Sequence, residues 1–184
     1  MKKKVLVLLA DGFEEMEAVI CIDILRRGGL ETKIACLKKN LVVCGSRNIK
    51  IQADMKLSEI KQLPDAIVLP GGMPGAENLA NSKEANKLIK NCNNEKKIIA
   101  AICASPAIVL IPLGILDGKR ATCYPQFEEK FGAKTAFVNE AVVVDGNIVT
   151  SQGPGTVFYF ALKIVELLQG KDTAETVRKR ALVK

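Results

Sequence analysis

Three short stretches of this chain carry residues whose types and spacing can do chemistry together. The first is Ile98-Ile99-Ala100-Ala101-Ile102-Cys103-Ala104-Ser105-Pro106. Its apolar, β-branched opening has the pattern of a strand buried on both faces. Ala104 and Ser105 then permit a tight turn, and Pro106 suits the first turn of a helix. Cys103 therefore sits where a strand hands over to a helix, the setting of a nucleophile elbow. A helix N-terminus at that point favours thiolate over thiol. The competing reading is a structural cysteine, since free cysteines are often buried.

The second stretch is Asp11 to Glu17. A helix beginning near Glu14 puts Glu17 in its first turn, able to point back over the strand ends. A carboxyl beside a thiol acts as general acid or base, or donates a hydrogen bond when protonated. Against this, Glu14, Glu15 and Glu17 could simply complement the helix dipole. The third is Pro70-Gly71-Gly72, directly behind the buried run Ala66-Ile67-Val68-Leu69. Glycines let backbone N–H groups converge on an anion, and Gly72 and Ala104 are the expected donors of such an oxyanion pocket, with Gly71 lining it. An ordinary strand-ending turn is the alternative. No Gly-Lys-Ser/Thr follows, so it is not a P-loop. Gly153-Pro154-Gly155-Thr156 reads as a helix start that also has the means to face the pocket. Arg26, Arg27 and Arg47 have the chemistry to hold a substrate carboxylate, although surface solvation is the default reading for each.

What is missing decides as much. The 184 residues contain no histidine. Serine–histidine and cysteine–histidine hydrolysis within one chain are excluded, as is any histidine-ligated metal. The six cysteines (Cys21, Cys36, Cys44, Cys92, Cys103, Cys123) form no C-x-x-C pair, so no metal site and no disulfide framework is expected. The net charge of +7 is dispersed and aromatic residues make up only 4% of the chain, which argues against a nucleic-acid surface. Val5 to Ala10 is too short an apolar run for a signal peptide, and no stretch has the length to span a membrane. A reduced, cytoplasmic protein is the expectation.

These residues need elements to position them. Apolar runs at Val5–Leu9, Glu31–Leu37, Ala66–Leu69 and Ile98–Ile102 predict strands, alternating with helices at 14–27, after Pro74, and at 82–92. Within the first helix, Met16, Val19, Ile20 and Ile24 recur at helical spacing. Two short strands are predicted between Val42 and Ala53, a short helix over Ser58–Leu63, and a helix after Cys103 that Pro112 ends or kinks. Ala121-Thr122-Cys123 is extended, Ala141–Val144 and Ile148–Ser151 form a hairpin, and helices close the chain from Pro154 to Leu168 and from Thr173 to Arg180. Strands alternating with helices imply one α/β domain over residues 1–184, a flavodoxin-like three-layer sandwich with a mostly parallel sheet. All three stretches then fall at the carboxyl ends of strands, where function gathers in such sheets.

Taken in order, Ala10-Asp11-Gly12-Phe13-Glu14-Glu15-Met16-Glu17, Leu69-Pro70-Gly71-Gly72, Ala100-Ala101-Ile102-Cys103-Ala104 and Thr150-Ser151-Gln152-Gly153-Pro154-Gly155-Thr156 resemble the ThiJ/PfpI superfamily, and its DJ-one branch most closely. The resemblance runs from Lys4 to about Gly170. It implies a homodimer, commonly through the first helix, and an oxidation-sensitive nucleophile at Cys103. It further implies a protonated Glu17 hydrogen-bonded to that cysteine, and backbone donors at Gly72 and Ala104. Glu14, Arg27 and Arg47 correspond to residues lining the pocket or its dimer neighbour. Where many relatives carry Thr-x-His-Pro, this chain reads Thr122-Cys123-Tyr124-Pro125, so Tyr124 takes the place of a histidine and peptidase activity is not expected.

Two functions follow from the resemblance and the residues. One is a cofactor-independent glyoxalase or deglycase acting on methylglyoxal-type aldehydes or early adducts of amines and thiols, with Cys103 as nucleophile and Glu17 as acid and base. The other is an oxidative-stress sensor or redox chaperone working through oxidation of Cys103, without turnover.

Overall fold

The structure, a computed structural model, describes residues 2–38 and 40–184. Its elements in order are β1 (Lys4–Leu9), α1 (Glu15–Arg27), β2 (Glu31–Cys36), β3 (Val42–Cys44), β4 (Lys50–Gln52), β5 (Met55–Lys56), β6 (Ala66–Leu69), α2 (Gly75–Asn81), α3 (Lys83–Asn94), β7 (Ile98–Ile102), β8 (Arg120–Ala121), β9 (Ala136–Phe137), β10 (Val142–Asp145), β11 (Ile148–Ser151), α4 (Val157–Gln169) and α5 (Lys171–Arg180). Seven strands form the main sheet in the order β10-β11-β7-β6-β1-β2-β5. Every pairing in it is parallel except the β10–β11 hairpin at one edge.

The central strands are fully buried runs such as Val7-Leu8-Leu9, Ile67-Val68-Leu69 and Ile99 to Ile102. Burial on both faces requires helical cover. α1, α4 and α5 pack together as one layer, and α2 and α3 as another. The mostly parallel α/β sandwich read from the alternating pattern is the fold observed. Among the described residues, no helix is long and apolar enough to cross a membrane.

The strand order fixes where a site can form. From β1 the chain moves to β2 on one side and later returns to β6 on the other. The crevice at such a reversal, outside the carboxyl ends of the strands, is the place where open α/β sheets bind ligands. Residues 10–17 leave β1 there, Pro70-Gly71-Gly72 leaves β6 beside it, and Cys103 leaves the next strand, β7.

Three local expectations fail, each for a visible reason. Ser58–Leu63 is no helix but a single 3-10 turn over Leu57–Glu59, because Pro64 disfavours helical backbone at Leu63. The segment after Cys103 makes only a five-residue π-turn, Pro106–Leu110. Pro112 lacks an N–H to continue it, and Gly114 and Gly118 follow with positive φ angles of 69° and 73°. Finally, α1 buries a different stripe from the one its spacing suggests. Ala18, Cys21, Ile22, Ile24 and Leu25 face inward together with Glu15 and Glu17, whereas Met16 is 52% and Val19 48% exposed.

Candidate active site

Cys103 has a positive φ of 63°, a conformation that L-residues rarely adopt. Its backbone is held on both sides: its N–H donates to Ser151 O at 3.0 Å and its carbonyl accepts from Tyr124 N–H at 2.9 Å. Two residues on, the buried Ser105 hydroxyl donates to Pro70 O at 2.6 Å and ties the elbow to the glycine turn. Strain at this residue is thus over-determined by its surroundings, the condition under which strained backbone persists.

The glycine turn is close-packed against the elbow. A Cβ on Gly71 would stand 2.6 Å from Cys103 Cβ and 3.0 Å from its sulfur. Gly72, at φ +88°, leaves no room either: a Cβ there would lie 2.4 Å from Glu14 N and 2.5 Å from Gly12 O. The backbone N–H groups of Gly72 and Ala104 lie close enough to the sulfur to favour its charged form.

Glu17 completes the arrangement from α1. Its carboxyl is fully buried, with Oε2 accepting from Gly71 N–H at 2.7 Å. Oε1 is buried with no well-aligned partner, yet the carboxyl and the Cys103 sulfur lie close enough for each to alter the other's protonation. Burial, reinforced by the charge of Glu14, pushes the Glu17 pKa up from 4.5 to about 8, while the Gly71 hydrogen bond opposes the shift. Glu17 therefore holds its proton at neutral pH. Helix-dipole complementation does not explain a carboxyl placed this deeply. Glu14, the N-cap of α1, accepts from Glu17 N–H at 2.7 Å and sits at the edge of the same crevice.

Burial and the two backbone donors act on the Cys103 sulfur in opposite directions. Burial pushes the Cys103 thiol well above its ordinary range, and an ionised Glu17 would push it further; only the Gly72 and Ala104 N–H groups pull it back. The π-turn beyond the elbow is too short to supply a macrodipole.

The remaining expected residues are placed unevenly. Tyr124 adjoins the elbow through its backbone, and its half-exposed ring lies over Gly153. Arg47 is exposed in the loop between β3 and β4, its guanidinium donating to Ser46 Oγ at 2.9 Å. Arg27 is not at this chain's site. It lies in the last turn of α1, bonded to Asp23 at 2.6 Å, about 15 Å from Glu17 at the helical rise per residue. The five other cysteines are free thiols. Among the described residues, no group of three metal-ligating acidic or thiol side chains comes together.

Two groups were not anticipated. Buried Glu15 accepts from Arg47 N–H and Ser46 Oγ, and fills the space where a Gly45 side chain would stand. It therefore clamps the Arg47 loop to the start of α1. Ser105 and Ser151 hold the elbow from either side. Their only sequence signal is position, each lying next to or just after a strand end.

A family model described as the DJ-1/PfpI family matches residues 3–167. The chain is 45% identical to Protein DJ-1 homolog B of Arabidopsis thaliana over 176 residues, covering 95% of this chain but 40% of that protein; it spans less than half the length of this plant relative. It is 40% identical to Protein dj-1beta of Drosophila melanogaster over 185 residues, covering 100% of this chain and 98% of that one. The crystal structure of Drosophila DJ-1beta matches the fold with a TM-score of 0.96 at 39% identity, covering 100% of both chains. The Glutathione-independent glyoxalase DJR-1.2 of Caenorhabditis elegans is 36% identical over 183 residues, 97% of this chain and 95% of that one.

Proposed function

The chain belongs to the DJ-1/PfpI family, and on that premise we propose that it converts small dicarbonyls of the methylglyoxal type to hydroxy acids, with Cys103 as nucleophile and Glu17 as acid and base. The observation that carries this reading is a fully buried carboxyl, anchored by Gly71 N–H, facing the sulfur of a strained elbow. A relative named as a glutathione-independent glyoxalase supports it.

The chemistry follows from the two protonation states of Glu17. The Cys103 sulfur adds to the aldehyde carbon, and the thiol proton ends on the aldehyde oxygen, giving a hemithioacetal. The Gly72 and Ala104 N–H groups, close to the sulfur, stabilise the negative charge passing through that oxygen. Ionised Glu17 then takes the proton from the same carbon and returns it to the neighbouring one, while the hydroxyl proton of the former aldehyde oxygen passes to the keto oxygen, leaving a lactoyl thioester on Cys103. Water hydrolyses the thioester, so methylglyoxal plus water becomes lactate and the thiol is restored. A carboxyl titrating near 8 is a stronger base than an ordinary one and still reaches its ionised form near neutrality, which is where general acid–base catalysis works best. Release of early adducts from amines and thiols would use the same nucleophile and donors.

The test is lactate formation from methylglyoxal without glutathione or added metal. Wild type should turn over and Cys103→Ala should not. An inert wild type whose Cys103 is oxidised by peroxide far faster than the other five cysteines would replace this reading with that of a redox sensor, in which the same two N–H donors hold a sulfinate.

A homodimer belongs to the same reading. Met16, Val19 and Ile49 are 52%, 48% and 55% exposed, and a second copy would cover them. Val19→Asp is expected to turn a dimer into a monomer in light scattering; a wild type that is already monomeric would contradict this.

A further inference from the structure

Gly153-Pro154-Gly155-Thr156 does more than open a helix, because hydrogen bonds join it to the nucleophile. Cys103 N–H donates to Ser151 O. The Ser151 and Thr156 hydroxyls share a hydrogen bond at 2.7 Å, and Gly153 N–H donates to Thr156 Oγ1 at 3.1 Å. Ser151 Oγ in turn donates to Ala141 O at 2.7 Å. With Ser151 donating there, the Thr156 hydroxyl has its hydrogen for either Ser151 Oγ or Gly153 O, the latter at 2.9 Å, and either bond closes the loop. From the other direction, Tyr124 N–H donates to Cys103 O. Gly153 and Tyr124 are therefore both secured to the peptide groups of Cys103.

They also meet each other. A Cβ on Gly153 would stand 3.1 Å from Tyr124 Cδ2 and 3.5 Å from Cε2. The backbone does not demand glycine here, since φ is 166°, ordinary extended chain. The space is taken by the ring, and Tyr124 is 44% exposed, so the ring is not there to fill a core. Its other aromatic neighbour is Phe127, edge-on at 6.4 Å.

We propose that Gly153 is the seat of a substrate-selecting tyrosine: the missing side chain leaves the slot in which the Tyr124 ring lies, and so holds the phenol beside the elbow. There its O–H donates to the keto oxygen of an incoming dicarbonyl, next to the carbon that sulfur attacks. Gly153 is then a positioning residue and Tyr124 a specificity-determining one. This rests on the dicarbonyl reading above, but the seat itself is testable without it.

The chain has two tyrosines and no tryptophan. Tyr159, whose hydroxyl only reaches Lys184 O, can be changed to phenylalanine so that the remaining fluorescence reports Tyr124 alone. In that background Gly153→Ala is expected to increase quenching of Tyr124 by acrylamide. It should also raise KM for methylglyoxal about tenfold while kcat changes less than about twofold. Tyr124→Phe, which keeps the ring and removes the donor, should raise KM to a similar degree. Adding Gly153→Ala to it should then cost less than about twofold more, because the two residues act as one unit. Equal effects of Gly153→Ala with and without the phenol, together with unchanged quenching, would overturn the proposal. If wild type makes no lactate, the dicarbonyl reading fails. The seat is then decided by quenching and by the rate at which iodoacetamide labels Cys103, read on the Cys103 peptide. Gly153→Ala should change that rate severalfold in the presence of Tyr124 and leave it unchanged in Tyr124→Ala; no change in either would overturn it.

Discussion

Glu17→Gln is expected to stop lactate formation and, at the same time, to make the protein harder to unfold at alkaline pH. Glutamine keeps an acceptor for Gly71 N–H but never becomes a base, so turnover should fall by roughly 10²–10⁴-fold, the usual contribution of general acid–base catalysis. The stability effect has the opposite sign. Burial raises the pKa of Glu17 in the folded protein from 4.5 to about 8, so the folded state holds this proton more tightly than the unfolded chain does. Stability from that proton is complete below pH 4.5, and is lost as pH rises through about 8, where a bare carboxylate must be buried. Glutamine removes the penalty. Denaturant unfolding curves of wild type and variant should converge toward acid pH and separate above pH 8, the variant being more stable by about 2–5 kcal/mol. A variant that is less stable than wild type at alkaline pH would mean that Glu17 is ionised and satisfied in the fold. The same titration gives wild-type turnover a rising limb through about pH 8, as the base form is populated.

Gly72→Ala is the second large effect, and it is structural. The added methyl would meet Glu14 N, Gly12 O and Phe13 C at 2.4, 2.5 and 2.6 Å, all backbone atoms that cannot swing aside. The position also requires φ +88°. Steric and conformational costs of this kind add to about 3–5 kcal/mol. Gly155→Ala is the matched control, since a Cβ there meets nothing within 4 Å, and it should stay within about 0.5 kcal/mol of wild type. Equal stability for the two variants would show that the loops from β1 and β6 can part without cost.

Much of this arrangement was legible in the residues, and what was hidden has physical causes. β1, β6 and β7 read clearly because strands buried on both faces are continuous apolar runs. Cys103 was found because small residues and a proline follow such a run directly. The turn at Pro70-Gly71-Gly72 was found because only glycine lets backbone donors approach that closely. The burial of α1 was misread because its inner face carries Glu15 and Glu17, while Met16 and Val19 lie outside. A periodicity rule assigns apolar residues inward and has no means of seeing a carboxyl that is buried for chemistry. Arg27 was assigned to the pocket or its dimer neighbour, and helical rise carries it to the far end of α1 from this chain's own Cys103. The helix after Cys103 is present only as the short π-helical stretch Pro106–Leu110, which stops just before Pro112. The stretch around Gly153 was legible as a helix start, but its contact with the Tyr124 ring was not, since the two residues are distant in sequence.

The measurement that bears most directly on the pairing of Cys103 with Glu17 is native mass spectrometry of intact Glu17→Gln with methylglyoxal, beside the double variant with Cys103→Ala. With the nucleophile intact and the base removed, the reaction should halt after addition. The account predicts a gain of one methylglyoxal on Glu17→Gln that is absent from the double variant. A variant that stays unmodified, or is modified equally with and without Cys103, would contradict it.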